Sequence, residues 1–213
     1  MFVKVLLLCV VCVSIGSDAQ TQQIAADGFP SETHHVTTYD GYILEMHRIP
    51  YGRQGAGTED RPVVFLMHGL MGASSAFLRL GPDPYNLVDA GFDVWIGNAR
   101  GNSYSRFHDD LDPDGNISKY DFFDFSFEEI GLYDLPAMID YALDFTGNQR
   151  LHYIGHSQGG TTFLVMLALR SDYNAKIASA HLLAGVGYQE YFPDQDLLAS
   201  AANVDAIYVS CLQ

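Results

Sequence analysis

The stretch Leu151-His152-Tyr153-Ile154-Gly155-His156-Ser157-Gln158-Gly159-Gly160 decides the fold. Residues 151–154 form an apolar strand pattern that runs straight into Gly155-x-Ser157-x-Gly159. From Gln158 to about Arg170 the pattern is helical. A serine on such a sharp strand-to-helix turn is lifted off the end of a sheet, and small flanking residues let the turn close. The start of the helix aims backbone N–H groups into the same space. Attack of a hydroxyl on an ester carbonyl builds negative charge on oxygen, so a nucleophile requires donors of this kind. The five-residue pattern is weak by itself. The strand before it and the helix after it make Ser157 a candidate nucleophile rather than an ordinary turn serine.

The surrounding sequence repeats the alternation. Val63–Met67, 92–96, 151–154 and 177–186 are continuous apolar runs, as expected of strands buried on both faces of a parallel sheet. Upstream, the β-rich runs 33–38 and 42–49 flank Tyr39-Asp40-Gly41, and Asp-Gly between such runs signals a tight hairpin. Short helical patterns cover 75–80 and 84–90. Ser126-Phe127-Glu128-Glu129 reads as a capping box. The helix it opens meets Pro136 and is expected to stop near Leu132. Asp134 is then expected to cap a second helix that runs to about Phe145 and ends at Gly147. This order predicts an α/β fold, mostly parallel with an antiparallel N-terminal hairpin, breaking off after a sixth strand. His68-Gly69-Leu70 follows the 63–67 strand directly. In this architecture that loop supplies one oxyanion amide and the residue after the nucleophile supplies the other, here the N–H groups of Leu70 and Gln158. His68 precedes the serine in the chain and is read as a histidine that orders the loop.

Several ordered motifs then carry a resemblance. They are His68-Gly69-Leu70, Asn98-Ala99-Arg100-Gly101-Asn102, Tyr104-Ser105-Arg106, Phe125-Ser126-Phe127, Tyr133-Asp134-Leu135-Pro136-Ala137 and Gly155-His156-Ser157-Gln158-Gly159-Gly160. Asp40-Gly41-Tyr42-Ile43-Leu44 and His47-Arg48-Ile49-Pro50 belong to the same series. Over roughly residues 28–186 the chain resembles the acid lipase family, the gastric, lingual and lysosomal acid lipases and their insect relatives, within the α/β-hydrolase superfamily. The resemblance implies Ser157 as nucleophile, Leu70 and Gln158 as oxyanion donors, and hydrolysis of neutral lipid esters, acylglycerols and sterol esters, at a lipid–water interface. It implies no metal and no organic cofactor.

Composition fits this reading. The 213 residues carry 11 Lys+Arg against 26 Asp+Glu, a net charge of −15, which argues against a nucleic-acid partner. With 48% hydrophobic and 17% charged residues, the chain is too apolar for a disordered acidic tail. At the N-terminus, Lys4 precedes an apolar run from Val5 to Ile15, followed by Gly16, Ser17 and Ala19. This predicts a secretory leader, residues 1–19, cut near Ala19; the run is too short to span a bilayer. Cleavage would remove Cys9 and Cys12 and leave Cys211 without an intrachain partner. Asn116-Ile117-Ser118 is a glycosylation sequon on that route. Secretion is expected, with the lysosomal lumen as the alternative. Oligomeric state is not legible.

The fold's triad order is Ser, then Asp or Glu, then His. After Ser157 the only His is His181, and the only acid between them is Asp172. Asp172 lies past the helix end, roughly 22 Å along from Ser157 at the helical rise per residue. His181 falls inside the 177–186 strand. The sequence therefore predicts a partial lipase domain over 20–187 with no competent base for Ser157, and the start of a cap over 188–213. A lipid-binding or storage protein on a lipase scaffold is the competing function. A peptidase or thioesterase is a third, because the elbow alone does not select the acyl group. Other motifs receive bland readings. The acidic stretch from Asp110 to Asp121 resembles a calcium loop but ends in Asp and holds Pro113, so a solvated loop is expected. His34, His35 and His47 are expected on an exposed strand face rather than on a metal. Tyr120, Phe122, Phe123, Phe125 and Phe127 are read as a lipid entrance or as core packing.

Overall fold

A computed structural model describes residues 19–57, 60–79 and 83–187. The leader and the cap region expected from the sequence lie outside the described residues, apart from Ala19.

The chain begins with α1 (Ala19–Ala26), then the hairpin β1 (Glu32–Thr37) and β2 (Tyr42–Ile49). It continues through β3 (Val63–Met67), α2 (Ser75–Arg79), α3 (Asp83–Asp89), β4 (Asp93–Gly97) and β5 (Phe107–His108). After α4 (Ser118–Phe122) and α5 (Phe127–Glu129) come α6 (Leu135–Thr146), β6 (Leu151–His156), α7 (Gln158–Leu169) and β7 (Ile177–Leu183). The sheet order is β1-β2-β4-β3-β6-β7. β2 pairs antiparallel with β1, β4 and β5, whereas β4-β3-β6-β7 are parallel. This is the mixed sheet expected from the sequence. The two-residue β5 is an addition, too short to leave a periodic signal.

Strict alternation along the strands builds two cores. Phe65, Met67, Trp95 and Tyr153 face α6 and α7, where Leu135, Met138, Ile139, Ala142, Phe163 and Met166 are buried. Val64, Leu66, Val94 and Ile96 face the other way, against Ile24 of α1 and Val88 of α3. Every residue of β3 and β4 is buried, as double coverage of a parallel sheet requires. β7 is more exposed; among the described residues it pairs only with β6, and Leu183 is 52% exposed.

Three local expectations are corrected. First, the chain does not break between Leu132 and Asp134. A π-helical turn over 130–134 joins α5 to α6, and the Leu135 N–H donates to the Ile130 carbonyl. The wider turn accommodates Pro136, which lacks an N–H and would otherwise press on the carbonyl four residues back. Second, Asp134 caps nothing. It has helical dihedrals, is fully buried, and accepts from Arg100 Nε–H at 2.8 Å and from the Arg100 backbone N–H at 2.9 Å. The capping box itself is present: Ser126 Oγ accepts from the Glu128 N–H, and the Glu129 carboxylate accepts from the Ser126 N–H at 2.7 Å. Third, β7 stops at Leu183, and Ala184 turns the chain with φ +50°.

The histidines of the hairpin are also placed differently. His34 and His47 are buried. His34 lies tilted against Trp95 and bonds Tyr141 Oη and Glu32, while His47 Nδ1 meets Ser74 Oγ at 2.9 Å. The aromatic cluster divides. Phe122 is fully buried and Phe123 and Phe125 pack on the core, but Tyr120 and Phe127 stay exposed. In the acidic stretch, Asp112 Oδ1 accepts from the Asp114 N–H, and Asp114 pairs with Arg106. Asn116 is exposed two residues before α4.

Candidate active site

Ser157 stands between β6 and α7 with φ +51° and ψ −116°. Non-glycine residues rarely adopt this backbone, and it persists only where the surroundings enforce it. Here they do. The Ser157 N–H donates to the Leu183 carbonyl at 2.9 Å, and the Ser157 carbonyl accepts from the Gly160 N–H at 2.9 Å. Ser157 as a residue is partly buried.

The glycines of the motif are explained by close approach of main chain. A Cβ on Gly159 would lie 2.4 Å from the Met67 carbonyl oxygen and 2.9 Å from that of His68. A Cβ on Gly155 would lie 2.6 Å from the Gly159 oxygen. The first turn of α7 thus sits directly on the end of β3, and no side chain fits between. Gly159→Ala is expected to cost about 3 kcal/mol, at the upper end of overpacking effects, because both neighbours are backbone. Urea unfolding measures it; a loss below about 0.5 kcal/mol would show that the two elements separate freely.

Gly69 brings the second loop to the serine. Its hypothetical Cβ would lie 2.9 Å from Ser157 Cβ and 3.3 Å from the His156 carbonyl. The Gly69 carbonyl is held by His68 Nδ1–H at 2.8 Å and by the Gly72 N–H at 3.0 Å. Among the described residues no peptide bond is cis, and in a trans peptide the C=O and the following N–H point in opposite directions. The Leu70 N–H therefore faces away from His68 and Gly72. Leu70 and Met71 side chains, 62% and 84% exposed, stand at the rim beside it.

His68 orders this loop, as expected, and the structure shows how. Its Nε2 accepts from the Ala99 N–H at 3.1 Å and from Asn102 Nδ2–H at 3.2 Å, which puts the proton on Nδ1. Burial lowers its pKa, in keeping with a neutral ring. Asn102 in turn donates to Asn98 Oδ1, which also accepts from the Ser74 N–H at 2.8 Å. Sequence reasoning quoted Asn98 and Asn102 without giving them a role. Their signal was present, since two amide side chains four residues apart directly after a buried strand have both donors and acceptors to satisfy.

Both residues weighed as a substitute base have other partners. His181 Nε2 meets Ser179 Oγ at 3.3 Å on the face of β7, and Asp172 pairs with Arg170. Among the described residues no group of three or more His, Cys, Asp or Glu is placed to hold a metal, and no helix is long and apolar enough to cross a membrane.

The fold and this turn define a class, and comparison with known proteins agrees. Residues 62–205 match the family described as alpha/beta hydrolase fold, and residues 20–81 match a partial alpha/beta-hydrolase lipase region. The chain belongs to the α/β-hydrolase fold family. It is similar to Lipase 3 of Drosophila melanogaster, 49% identical over 170 residues, covering 78% of this chain and 42% of that protein. Lipase 1 of the same fly is 52% identical over 174 residues, covering 80% and 37%. Human gastric triacylglycerol lipase is 42% identical over 175 residues, covering 80% and 43%. The chain thus spans about two fifths of the length of these relatives. The resemblance to gastric and insect lipases read from the motifs is borne out. Among solved structures, a putative lipase from Acinetobacter baumannii superposes with a TM-score of 0.57 at 18% identity, covering 87% of this chain and 50% of that one. The Pyrococcus furiosus esterase Pf2001 gives 0.56 at 18%, covering 84% and 63%. At that identity the likeness is one of fold.

Proposed function

We propose that this chain is part of a secreted serine ester hydrolase of neutral lipids, acylglycerols and sterol esters. Ser157 is the nucleophile, and the N–H groups of Leu70 and Gln158 receive the oxyanion. The observation that carries this reading is the strained Ser157 backbone, φ +51°, set directly against Gly69. Lipase relatives support the ester-hydrolase class. Exposed Leu70 and Met71 beside the turn suit contact with a lipid–water interface. The N-terminal leader and exposed Asn116, read as a glycosylation site, support secretion. No cofactor enters the mechanism.

In this reading the acid and the histidine of the triad belong to sequence after Gln213, and the 213-residue chain is inactive alone. Support comes from His181 and Asp172, both engaged elsewhere. Without a base, only the residual rate from donors and binding would remain. The second reading, a non-catalytic lipid binder on this scaffold, is favoured by the same engagement of His181 and Asp172.

Hydrolysis of nitrophenyl esters of increasing acyl length separates the two readings. A longer form that carries an acid and a histidine beyond Gln213 should hydrolyse the long-chain esters, with this chain near background. If the longer form binds lipid but hydrolyses no faster than its Ser157→Ala variant, the scaffold reading replaces the enzymatic one.

A further inference from the structure

Five methionines fall among the described residues, and four are sealed in the core: Met46, Met67, Met138 and Met166 are each exposed by 1% or less. The fifth, Met71, is 84% exposed. Its backbone is unusual as well. The Gly72 N–H donates to the Gly69 carbonyl at 3.0 Å, which closes a turn over 69–72, and Met71 takes the third position with φ +55°. Glycine or asparagine ordinarily fills such a place, because a side chain with a Cβ is strained there. The turn is tight on both sides. A Cβ on Gly72 would lie 2.9 Å from the Gly69 oxygen, and one on Gly69 would lie 2.9 Å from Ser157 Cβ. A long apolar side chain displayed on a strained backbone beside the candidate nucleophile costs stability, and an outlier of this kind points to a use.

Met71 differs from its neighbour Leu70 chiefly in its thioether sulfur. That sulfur carries a lone pair and no proton, so a two-electron oxidant can take it at any pH, whereas a thiol reacts as its thiolate. With hydrogen peroxide the step balances. Sulfur gives up an electron pair and gains one S–O bond, and the O–O bond breaks. The hydrogen on the transferred oxygen passes to the other oxygen, which leaves as water. The sulfoxide is polar and can be reduced back to the thioether. The four buried sulfurs are shielded from the oxidant while the protein stays folded.

We propose that Met71 is an oxidation site for peroxide-class oxidants, and that its sulfoxide turns the rim beside Ser157 from apolar to polar. As a thioether, Met71 extends the apolar surface of exposed Leu70. As a sulfoxide, it sets a strong dipole and an acceptor oxygen at the same spot. The rim then loses affinity for a lipid surface until the sulfur is reduced. This consequence rests on the reading of the rim as the part that meets lipid; the oxidation itself does not.

Hydrogen peroxide treatment of the folded 213-residue chain, followed by peptide mass mapping, tests the site. Met71 should gain one oxygen at least about tenfold faster than Met46, Met67, Met138 or Met166. Adsorption to phosphatidylcholine vesicles containing triolein tests the consequence. Oxidation should weaken adsorption about tenfold, the scale of transferring one methionine side chain, and methionine sulfoxide reductases A and B together should restore it. Met71→Leu keeps the rim apolar at nearly the same volume, and its exposed position does not threaten folding. It should adsorb like the untreated chain and stay unchanged by peroxide. Met1 and the three cysteines are common to both proteins, so the comparison isolates position 71. Oxidation of Met71 no faster than that of the buried methionines would overturn the proposal. So would equal adsorption before and after treatment, or a loss that Met71→Leu shares. No adsorption by the untreated chain would overturn the lipid-contact reading and the switch with it, and the mass map would separately decide the oxidation site.

Discussion

Ser157→Gly should make the protein more stable and remove its chemistry at the same time. The serine backbone sits at φ +51° and ψ −116°, a region in which a residue with a Cβ carries about 1–3 kcal/mol of strain. Glycine releases that strain but gives up roughly 0.5–1 kcal/mol through the extra freedom of the unfolded chain. The net expectation is a gain of about 1 kcal/mol, or roughly 2–4 °C in Tm for a chain of this size. Ser157→Ala keeps the Cβ and should keep the Tm. In the longer form, both variants should lose about 10⁴-fold or more in kcat/KM on nitrophenyl esters, as expected when a nucleophile is removed. Calorimetric melting together with steady-state rates reads both quantities. Hydrolysis that survives in both variants would mean that position 157 is not reactive, and a Tm lower for glycine than for alanine that it is not strained.

Arg100→Met carries the largest expected loss of stability. The Arg100 guanidinium is buried and bonds Asp134 through Nε at 2.8 Å and Nη2 at 2.7 Å, and Asp40 through Nη1 at 2.7 Å. It also lies 4.0 Å from the centre of the Tyr42 ring. Methionine approximates the volume but leaves the wholly buried Asp134 carboxylate without its counter-ion, a change worth about 3–5 kcal/mol. Burial already pushes the Asp134 carboxyl up to about 6 against the pull of Arg100. Without the guanidinium it rises further. A carboxyl whose folded pKa is raised favours the fold below its unfolded value, 3.8, and that contribution is lost as pH climbs through the folded value. The defect should therefore be smaller at pH 5 than at pH 8, as read by urea unfolding. Adding Asp134→Leu should recover part of the loss, since the orphan charge is gone. A deficit that is the same at both pH values would assign it to lost packing around Tyr42 and Phe125 instead.

The two variants touch parts of the molecule that were unequally legible. The serine turn could be read because strand, glycines and helix follow one another within ten residues, so local pattern and tertiary role coincide. The buried runs of β3 and β4 were legible for the same reason: full coverage leaves a continuous apolar signature. Asp134 was misread because a carboxylate just before Leu135-Pro136 has the local pattern of a cap. Its partner Arg100 lies 34 residues earlier and leaves no local trace. The π-helical turn was invisible too, since it depends on Gly131 meeting the Thr162 carbonyl of α7, where a Cβ would come within 2.7 Å. His34 and His47 read as surface residues because imidazole is ambiguous. Their burial depends on Tyr141 and Ser74, contributed by distant elements.

The web that joins His47, Ser74, Asn98, Asn102 and His68 has a consequence for biosynthesis. All of its members precede Ser157, and the last tie on the serine turn reaches back from Leu183, with Val186 fastening Thr161. A nascent polypeptide can thus close every one of these ties once about the first 186 residues have left the ribosome.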